Sequence, residues 1–159
     1  YDTVRYLESV RLLNRYFDRP AVTTDLIVGF PGETEEEFLQ TLEFIRKCAF
    51  AEMHIFPYSM RTGTPAAEME QVEKCVKEER AVRAAETACE MHRKYLEGCV
   101  GQVFDVLFEQ PVDGVFQGHA PNYMVAAVGQ DNLHNQILPV KITGIRKDGV
   151  LLGVLKERQ

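Results

Sequence analysis

Asp25 and Arg61 are two charged residues whose positions suggest a binding site. Asp25 interrupts an apolar run that ends at Val28, and Arg61 follows a second apolar segment at 53–58. A carboxylate buried in a strand is costly unless it meets a cation, a hydroxyl or a ligand, and a guanidinium fork can grip a carboxylate or phosphate. Both residues could equally serve structure, Asp25 through an internal partner and Arg61 as the cap of a surface loop. These residue types are compatible with a small-molecule site without establishing one.

The stretch 23–45 must position Asp25. Residues 26–28 form a short β-branched run suited to a strand covered on both faces, and the Gly-Pro-Gly turn at 29–32 ends it. Thr34 and Glu37 then have the spacing of a capping box at the start of a helix. In such units ligands lie beyond the carboxyl end of the strand, where glycine lets the backbone approach a small molecule. A tight turn without a ligand is the alternative.

Helices and a second strand surround this unit. The apolar spacing predicts an amphipathic helix over 2–17, a parallel second strand at 53–58 and a long helix over 72–97 that ends at Gly98. The long helix is predicted to bury one apolar stripe, composed of Val72, Val76, Val82, Ala85, Cys89, His92 and Leu96. Two strands and one crossover cannot form an α/β domain alone, so residues 1–97 are interpreted as the last βα units of a larger sheet or barrel.

From Gly101 onward the pattern is that of β structure. About five short apolar segments alternate with polar turns, and Asp148-Gly149 is a strong hairpin signal. This spacing favours a small, OB-like antiparallel barrel as a second domain over residues 98–159.

Composition excludes few classes of protein. The 159 residues carry a formal charge of −6, are 45% hydrophobic and contain no apolar run long enough to span a membrane, so a cytoplasmic location is expected. The four cysteines and four histidines lack the spacing of a zinc or iron-sulfur site, so no metal ligand is predicted.

The β domain offers candidate contacts for nucleic acid. Its phosphate partners and single stacking ring would be His119, Asn122, Tyr123, Lys141, Arg146 and Lys147. An ordinary solvated surface is the alternative on composition alone.

Two long motifs, TDLIVGFPGETEEEF and HIFPYSMRTGTPAA, and the later string GHAPNYMVA closely resemble the radical S-adenosylmethionine methylthiotransferases that modify tRNA. Members of that family have an N-terminal domain with three cluster cysteines, a radical S-adenosylmethionine barrel with a CxxxCxxC loop, and a C-terminal TRAM domain that holds RNA. The resemblance implies that residues 1–97 are the C-terminal part of the barrel and 98–159 the TRAM domain. Neither set of cluster cysteines is present. We therefore expect the chain alone to be inactive, with no cofactor bound.

For an intact enzyme the resemblance implies S-adenosylmethionine and two 4Fe-4S clusters as cofactors. Reductive cleavage of S-adenosylmethionine would give a radical that abstracts hydrogen from C2 of an adenine, where a methylthio group is then placed. The loop RTGTPAA favours the branch acting on N6-threonylcarbamoyladenosine beside the anticodon, with the isopentenyladenosine branch as the alternative. The expected partner is the tRNA anticodon stem-loop.

The resemblance also assigns residues to the cofactor. Asp25, Ile27, Gly29 and Phe30 would pack near the adenosine, Phe56 and Tyr58 would line the next strand end, and Arg61 would reach a carboxylate of the substrate or cofactor. No catalytic residue is expected in this chain. Glu33 falls one position late for the GxIxGxxE pattern of many radical S-adenosylmethionine enzymes, so it receives no role.

Two other functions remain open from the residues alone. One is a freestanding RNA-binding adaptor whose α/β segment merely supports the β domain, and the other is a protein-interaction module that uses the acidic long helix. In each case the incomplete sheet should expose strand edges and an apolar face, which predicts dimerisation or element swapping.

Overall fold

The chain forms two compact units, the first ending at His92 and the second beginning at Arg93. The computed structural model describes residues 2–157. The first unit contains helix α1 (Thr3–Tyr16), strand β1 (Thr23–Val28), helix α2 (Glu35–Cys48), strand β2 (Glu52–Pro57), a 3₁₀ turn (Pro65–Glu68) and most of helix α3 (Lys74–Cys99). The predicted domain boundary at 97/98 lies within α3, and the first strand of the second unit begins at Val103.

Strands β1 and β2 pair in parallel, from Thr23 opposite Glu52 to Val28 opposite Pro57. Helix α2 is the crossover between them, as the sequence predicted. The carboxyl ends of both strands therefore lie side by side, followed by the turn at 29–33 and the loop at 58–64.

A capping box fixes the start of α2. The Thr34 hydroxyl accepts a hydrogen bond from the Glu37 N–H at 3.2 Å, and the Glu37 carboxylate accepts one from the Thr34 N–H at 2.8 Å. The Thr34 N–H and the Thr34 hydroxyl, which donates to the Glu37 carboxylate at 3.0 Å, lower the pKa of Glu37 below its ordinary value. The predicted box is confirmed, and it sets where the preceding turn must end.

Replacing Thr34 with alanine should destabilise the first unit by about 1 kcal/mol, because the Glu37 N–H loses its side-chain acceptor. A thermal melt at neutral pH measures this, and Thr34→Ser, which keeps the hydroxyl, should restore most of the loss. Since the folded pKa of Glu37 is lowered, its contribution is present above the unfolded pKa and is lost as pH falls through the folded pKa. The difference in stability between Thr34→Ala and wild type should therefore become smaller in acid. A stability difference that does not change with pH would contradict this account.

The first unit's core lies between the helices and one face of the two strands. Its buried members are Val10, Val28, Phe38, Leu42, Ile45, Cys48, Phe50, Ala84 and Met91. The expectation that β1 is covered on both faces is wrong within the described residues, because alternate residues of β1 are exposed. The predicted burial of Asp25 is wrong for the same reason, and its carboxylate needs no internal partner.

Helix α3 packs through a different face from the predicted one. Its buried residues in the first unit are Arg80, Ala84, Thr87 and Met91, whereas Val82 is 59% exposed and Ala85 and Cys89 are also exposed. The helix also continues past Gly98 to Cys99, and the left-handed residue that follows is Gly101, with φ of 88°. The apolar pattern predicted the wrong face because two polar side chains, Arg80 and Thr87, occupy the packed face.

The second unit is a closed five-stranded barrel. Its strands are β3 (Val103–Val112), β4 (Val115–His119), β5 (Val125–Val128), β6 (Ile137–Ile145) and β7 (Leu151–Leu155), in the order β3-β4-β5-β7-β6. The predicted five strands are confirmed, but β5 and β7 pair in parallel and every other pair is antiparallel. Buried side chains from β3, β5, β6 and β7 fill the interior, including Val106, Phe108, Ala126, Val140, Ile142 and Leu151.

None of the helices in the described part of the chain is long and apolar enough to cross a membrane.

Candidate functional site

The open face of the β1–β2 sheet carries several of the predicted cofactor contacts. Asp25 lies beside His54 in the parallel register and Ile27 lies beside Phe56. Ile27 is 54% exposed and Phe56 is 51% exposed, although both are large apolar residues in a paired strand. Adjacent exposed apolar residues with a neighbouring carboxylate form a surface suited to an apolar ring and a hydroxyl-bearing group.

The residues at the strand ends meet in one cluster. The Phe30 and Tyr58 rings pack edge to face with centroids 5.1 Å apart, and the Tyr58 N–H donates to the Val28 carbonyl at 2.8 Å. Gly29, directly after β1, is buried and has φ of 69°. The structure thus brings Gly29, Phe30 and Tyr58 together at the carboxyl edge of the sheet, where ligands bind in α/β folds.

Arg61 lies in the exposed loop after β2. Its carbonyl accepts a hydrogen bond from the Thr64 hydroxyl at 2.8 Å, which tightens the loop. Within residues 2–157 no ion pair is formed by the Arg61 side chain. Its guanidinium is available to an anionic group that enters at this edge.

Sequence reasoning missed the network that holds the turn at 29–33. The Glu33 carboxylate accepts hydrogen bonds from the Gly29 N–H and from Arg80 Nη1, each at 2.7 Å. Arg80 Nη1 also donates to the Glu33 carbonyl at 2.9 Å. Glu33 is therefore engaged within the protein, and no local signal revealed this because Arg80 lies 47 residues away.

A shallow groove of about 640 Å³ lies beside the turn at 29–33. It is bordered by Phe30, Gly32 and Glu33 from the turn, by Phe44 from α2 and by Met69. Neither Asp25 nor Arg61 lines it, so it does not coincide with the open sheet face.

In the second unit, Tyr123 projects from the loop between β4 and β5. The ring residue is 83% exposed and its backbone has φ of 61°, which is unusual for an aromatic residue. The Tyr123 N–H donates to the Ala120 carbonyl at 2.8 Å, and the Ala120 N–H donates to the Met124 carbonyl at 3.0 Å. The loop therefore holds an aromatic ring in solvent at a cost in backbone strain, which is typical of a binding residue.

Asn122 supports that loop from inside. It is only 9% exposed, its side-chain amide donates to the Tyr95 hydroxyl at 3.0 Å, and its carbonyl oxygen accepts from the Met124 N–H at 3.3 Å. The predicted surface contact with RNA does not match this burial. We assign Asn122 to shaping the loop that carries Tyr123.

Replacing Asn122 with alanine should destabilise the second unit by about 1–2 kcal/mol, because the buried Met124 N–H loses its acceptor. Chemical denaturation measures the effect. Gln130→Ala, at an exposed amide outside the barrel strands, is the matched control and should change stability little. Equal effects of the two substitutions would show that the Asn122 contacts contribute nothing specific.

The predicted cations of the barrel are of two kinds, exposed lysines and side chains that contact a carboxylate. Lys141 and Lys147 are exposed, whereas Arg146 forms a two-point ion pair with Asp148, through Nε at 2.8 Å and Nη2 at 2.6 Å. This pairing raises the pKa of Arg146 and lowers that of Asp148. His119 is exposed and contacts the Glu109 carboxylate at 2.8 Å through Nδ1.

Among the described residues, no three side chains of histidine, cysteine, aspartate or glutamate are grouped so that they could hold a metal ion. Cys48 is buried, and burial raises the pKa of its thiol. Cys75 and Cys89 are exposed at separate positions on α3.

Comparison with characterised proteins identifies the class. The threonylcarbamoyladenosine tRNA methylthiotransferase of Bacillus subtilis is 43% identical over 129 residues, which cover 77% of this chain and 29% of that protein. The tRNA-2-methylthio-N(6)-dimethylallyladenosine synthases of Symbiobacterium thermophilum and Bacillus licheniformis are 39% and 37% identical, over 90% and 96% of this chain and 32% of each protein. No protein-family model matches the chain.

All of these relatives are named for adding a methylthio group to tRNA. The chain belongs to the radical S-adenosylmethionine methylthiotransferase family that modifies tRNA, and the resemblance seen in its motifs is confirmed. It spans about a third of the length of the relatives it matches.

Proposed function

We propose that this chain is the C-terminal part of a tRNA methylthiotransferase. Its first unit supplies one wall of the S-adenosylmethionine site, as the last βα units of the radical S-adenosylmethionine barrel. Its second unit is the TRAM domain, which holds the tRNA anticodon stem-loop. The observation that carries the proposal is the open sheet face at the carboxyl ends of β1 and β2, because it groups several of the residues that the family resemblance assigned to the cofactor.

The chemistry of this face fits S-adenosylmethionine. Ile27, Phe30 and Phe56 offer exposed apolar surface for the adenine, and the exposed Asp25 carboxylate can accept from ribose hydroxyls. Arg61 can pair with the carboxylate of the amino-acid portion. The bound cofactor supplies the radical chemistry, while these residues orient it and exclude water from one side.

The iron-sulfur clusters do not fit the residues present. The four cysteines are dispersed, with Cys48 and Cys99 buried and Cys75 and Cys89 exposed at separate positions. We propose that both clusters are bound by parts of the enzyme outside this chain. Accordingly, the chain alone should neither cleave S-adenosylmethionine nor retain iron after anaerobic reconstitution, and a stoichiometric cluster on it would overturn the proposal.

We propose that the modified nucleoside is N6-threonylcarbamoyladenosine next to the anticodon. The support is the loop at 61–67, together with 43% identity to a relative named for that substrate. The alternative is the isopentenyladenosine branch, to which other relatives belong by name. Mass spectrometry of tRNA nucleosides from cells lacking the protein distinguishes the two branches. Loss of 2-methylthio-N6-threonylcarbamoyladenosine supports the proposal, and loss of the isopentenyl product instead overturns it.

The exposed lysines of the barrel should contribute to tRNA affinity through phosphate contacts. Reversing Lys141 and Lys147 to glutamate should weaken binding and reduce the slope of log affinity against log salt by about 2, since each phosphate contact contributes roughly one unit. Reversal of Lys47 and Lys74, exposed residues of the first unit, is the control with the same change in net charge. Binding of a labelled anticodon stem-loop across a salt series is the measurement. Equal losses in both double variants would indicate a general charge effect rather than this surface.

The open sheet face also supports the expected self-association of the isolated chain. Ile27 and Phe56 form an apolar surface that the described residues leave uncovered, and sedimentation velocity should detect dimers that Ile27→Asp weakens.

A freestanding RNA-binding adaptor is the alternative to an enzyme part. An adaptor would bind tRNA without any dependence on Asp25 or Arg61 and would leave the nucleosides of the cell unchanged.

A further inference from the structure

Arg80 of α3 is a nearly buried cation at the turn between β1 and α2. Its side chain is 5% exposed, while that of its partner Glu33 is 15% exposed. Nη1 reaches both the carboxylate and the backbone carbonyl of Glu33, at 2.7 and 2.9 Å. Removing a cation from water is costly, and hydrogen bonds to well-placed acceptors must offset that cost.

The same carboxylate fixes the backbone of the turn. Glu33 Oε2 accepts from the Gly29 N–H at 2.7 Å, so the Arg80–Glu33 pair determines the direction of the peptide between Val28 and Gly29. Phe30 follows immediately and packs on Tyr58. A change in the Gly29 peptide would therefore displace both rings that border the open sheet face.

Helix α3 holds the second strand end as well. Lys77, one turn before Arg80, donates from Nζ to the Tyr58 carbonyl at 3.3 Å, and its Nζ lies 5.7 Å from the Tyr58 ring centroid. The two cations thus attach α3 to the carboxyl ends of β1 and β2. Glu33 and Tyr58 are distant in sequence, and α3 contacts both of them.

We propose that Arg80 is a positioning residue for the S-adenosylmethionine site, acting through Glu33 and the Gly29 peptide rather than by touching the cofactor. This inference rests on the proposed function, because it takes the open sheet face as the cofactor wall. In this proposal Glu33 binds other protein groups rather than the cofactor, and α3 influences the affinity for the cofactor.

A guanidinium at this position makes contacts that an ammonium could not all keep. One Arg80 nitrogen serves two acceptors on Glu33, and the planar group lies 5.5 Å from the Phe38 ring centroid, where it can stack. Lysine at this position could supply both hydrogen bonds from its ammonium, but it would lose the planar contact with Phe38 and the contact that Arg80 Nε makes with the Glu35 carboxylate at 3.4 Å. Arg80→Lys should therefore restore only part of what Arg80→Met loses.

Arg83 provides a matched control on the same helix. It pairs with Glu35 at 2.7 Å and lies 4.8 Å from the Phe38 ring centroid, but forms no bond to the turn residues 29–33 among those described. Arg83→Met therefore removes a cation and a ring contact without releasing the turn.

Two readouts test the proposal. The first is amide hydrogen exchange at Gly29 in this chain, whose protection should fall about tenfold or more in Arg80→Met and less than about twofold in Arg83→Met. The second is the affinity of S-adenosylhomocysteine for the full-length enzyme with its clusters in place, which should fall about tenfold in Arg80→Met, partly recover in Arg80→Lys and hold in Arg83→Met. Thermal melts of each variant identify any that do not fold.

The results distinguish failure of the Arg80 inference from failure of the proposed function. Unchanged Gly29 exchange in folded Arg80→Met overturns the inference, whatever the ligand does. Faster exchange with unchanged affinity also overturns it, because the turn would then not position the cofactor. If wild type itself fails to bind S-adenosylhomocysteine, the proposed function fails, while Gly29 exchange still decides whether Arg80 holds the turn. If Arg80→Met does not fold, Arg80→Lys supplies both readouts.

Discussion

Gly29→Ala should destabilise the first unit by about 3 kcal/mol, combining left-handed backbone strain with overpacking. Gly29 has φ of 69°, and a Cβ added there would lie 2.3 Å from Cγ of Lys77 and 3.1 Å from two further carbons of that side chain. Lys77 cannot simply swing away, because its Nζ is hydrogen-bonded to the Tyr58 carbonyl. Chemical denaturation of wild type and variant measures the difference.

Two controls separate the causes of that loss. Gly63→Ala introduces similar backbone strain, with φ of 83°, but a Cβ at Gly63 would meet nothing within 4 Å. It should cost only about 1 kcal/mol. Gly29→Ala combined with Lys77→Ala should recover the part due to the clash. If Gly29→Ala and Gly63→Ala cost the same, the close approach of α3 to the turn is not a constraint on folding.

Local signals were enough to predict one element in each of the two units. The capping box needs only Thr34 and Glu37 three residues apart, and the hairpin before β7 needs only Asp148 and Gly149. Both depend on contacts within a few residues, which spacing in the sequence records. The exposed Ile27 and Phe56 were also named as cofactor contacts, although the family resemblance and not the spacing supplied that role.

Tertiary contacts explain what the sequence did not predict. Arg80 was not recognised because its partner Glu33 is remote in sequence, and a charged residue on the packed face of α3 shifts the apparent apolar stripe to Val82 and Ala85, which are exposed. Asn122 was predicted at the surface from its residue type, whereas buried partners at Tyr95 and Met124 hold it inside. Residue type alone does not distinguish a polar group that binds a ligand from one that satisfies the backbone.

Tyr123→Asn should weaken binding of the tRNA anticodon stem-loop while making the barrel more stable. The ring is 83% exposed and can stack on an unpaired base, and such stacking contributes about 1–3 kcal/mol, or roughly 5- to 150-fold in affinity. Asparagine tolerates the left-handed backbone at this position, where φ is 61°, so stability should rise by up to about 1 kcal/mol. Fluorescence anisotropy at fixed salt and thermal melts of the full chain measure the two effects.

The opposite signs of these two effects make the prediction specific. Tyr123→Phe keeps both the ring and the backbone strain, so it should retain affinity and stability close to wild type. Neither substitution removes a charge, so the salt dependence of binding should not change, in contrast to the Lys141 and Lys147 reversal. If Tyr123→Asn bound the stem-loop as tightly as wild type, the ring would not be a stacking contact, and the left-handed tyrosine would need an explanation in folding rather than in RNA recognition.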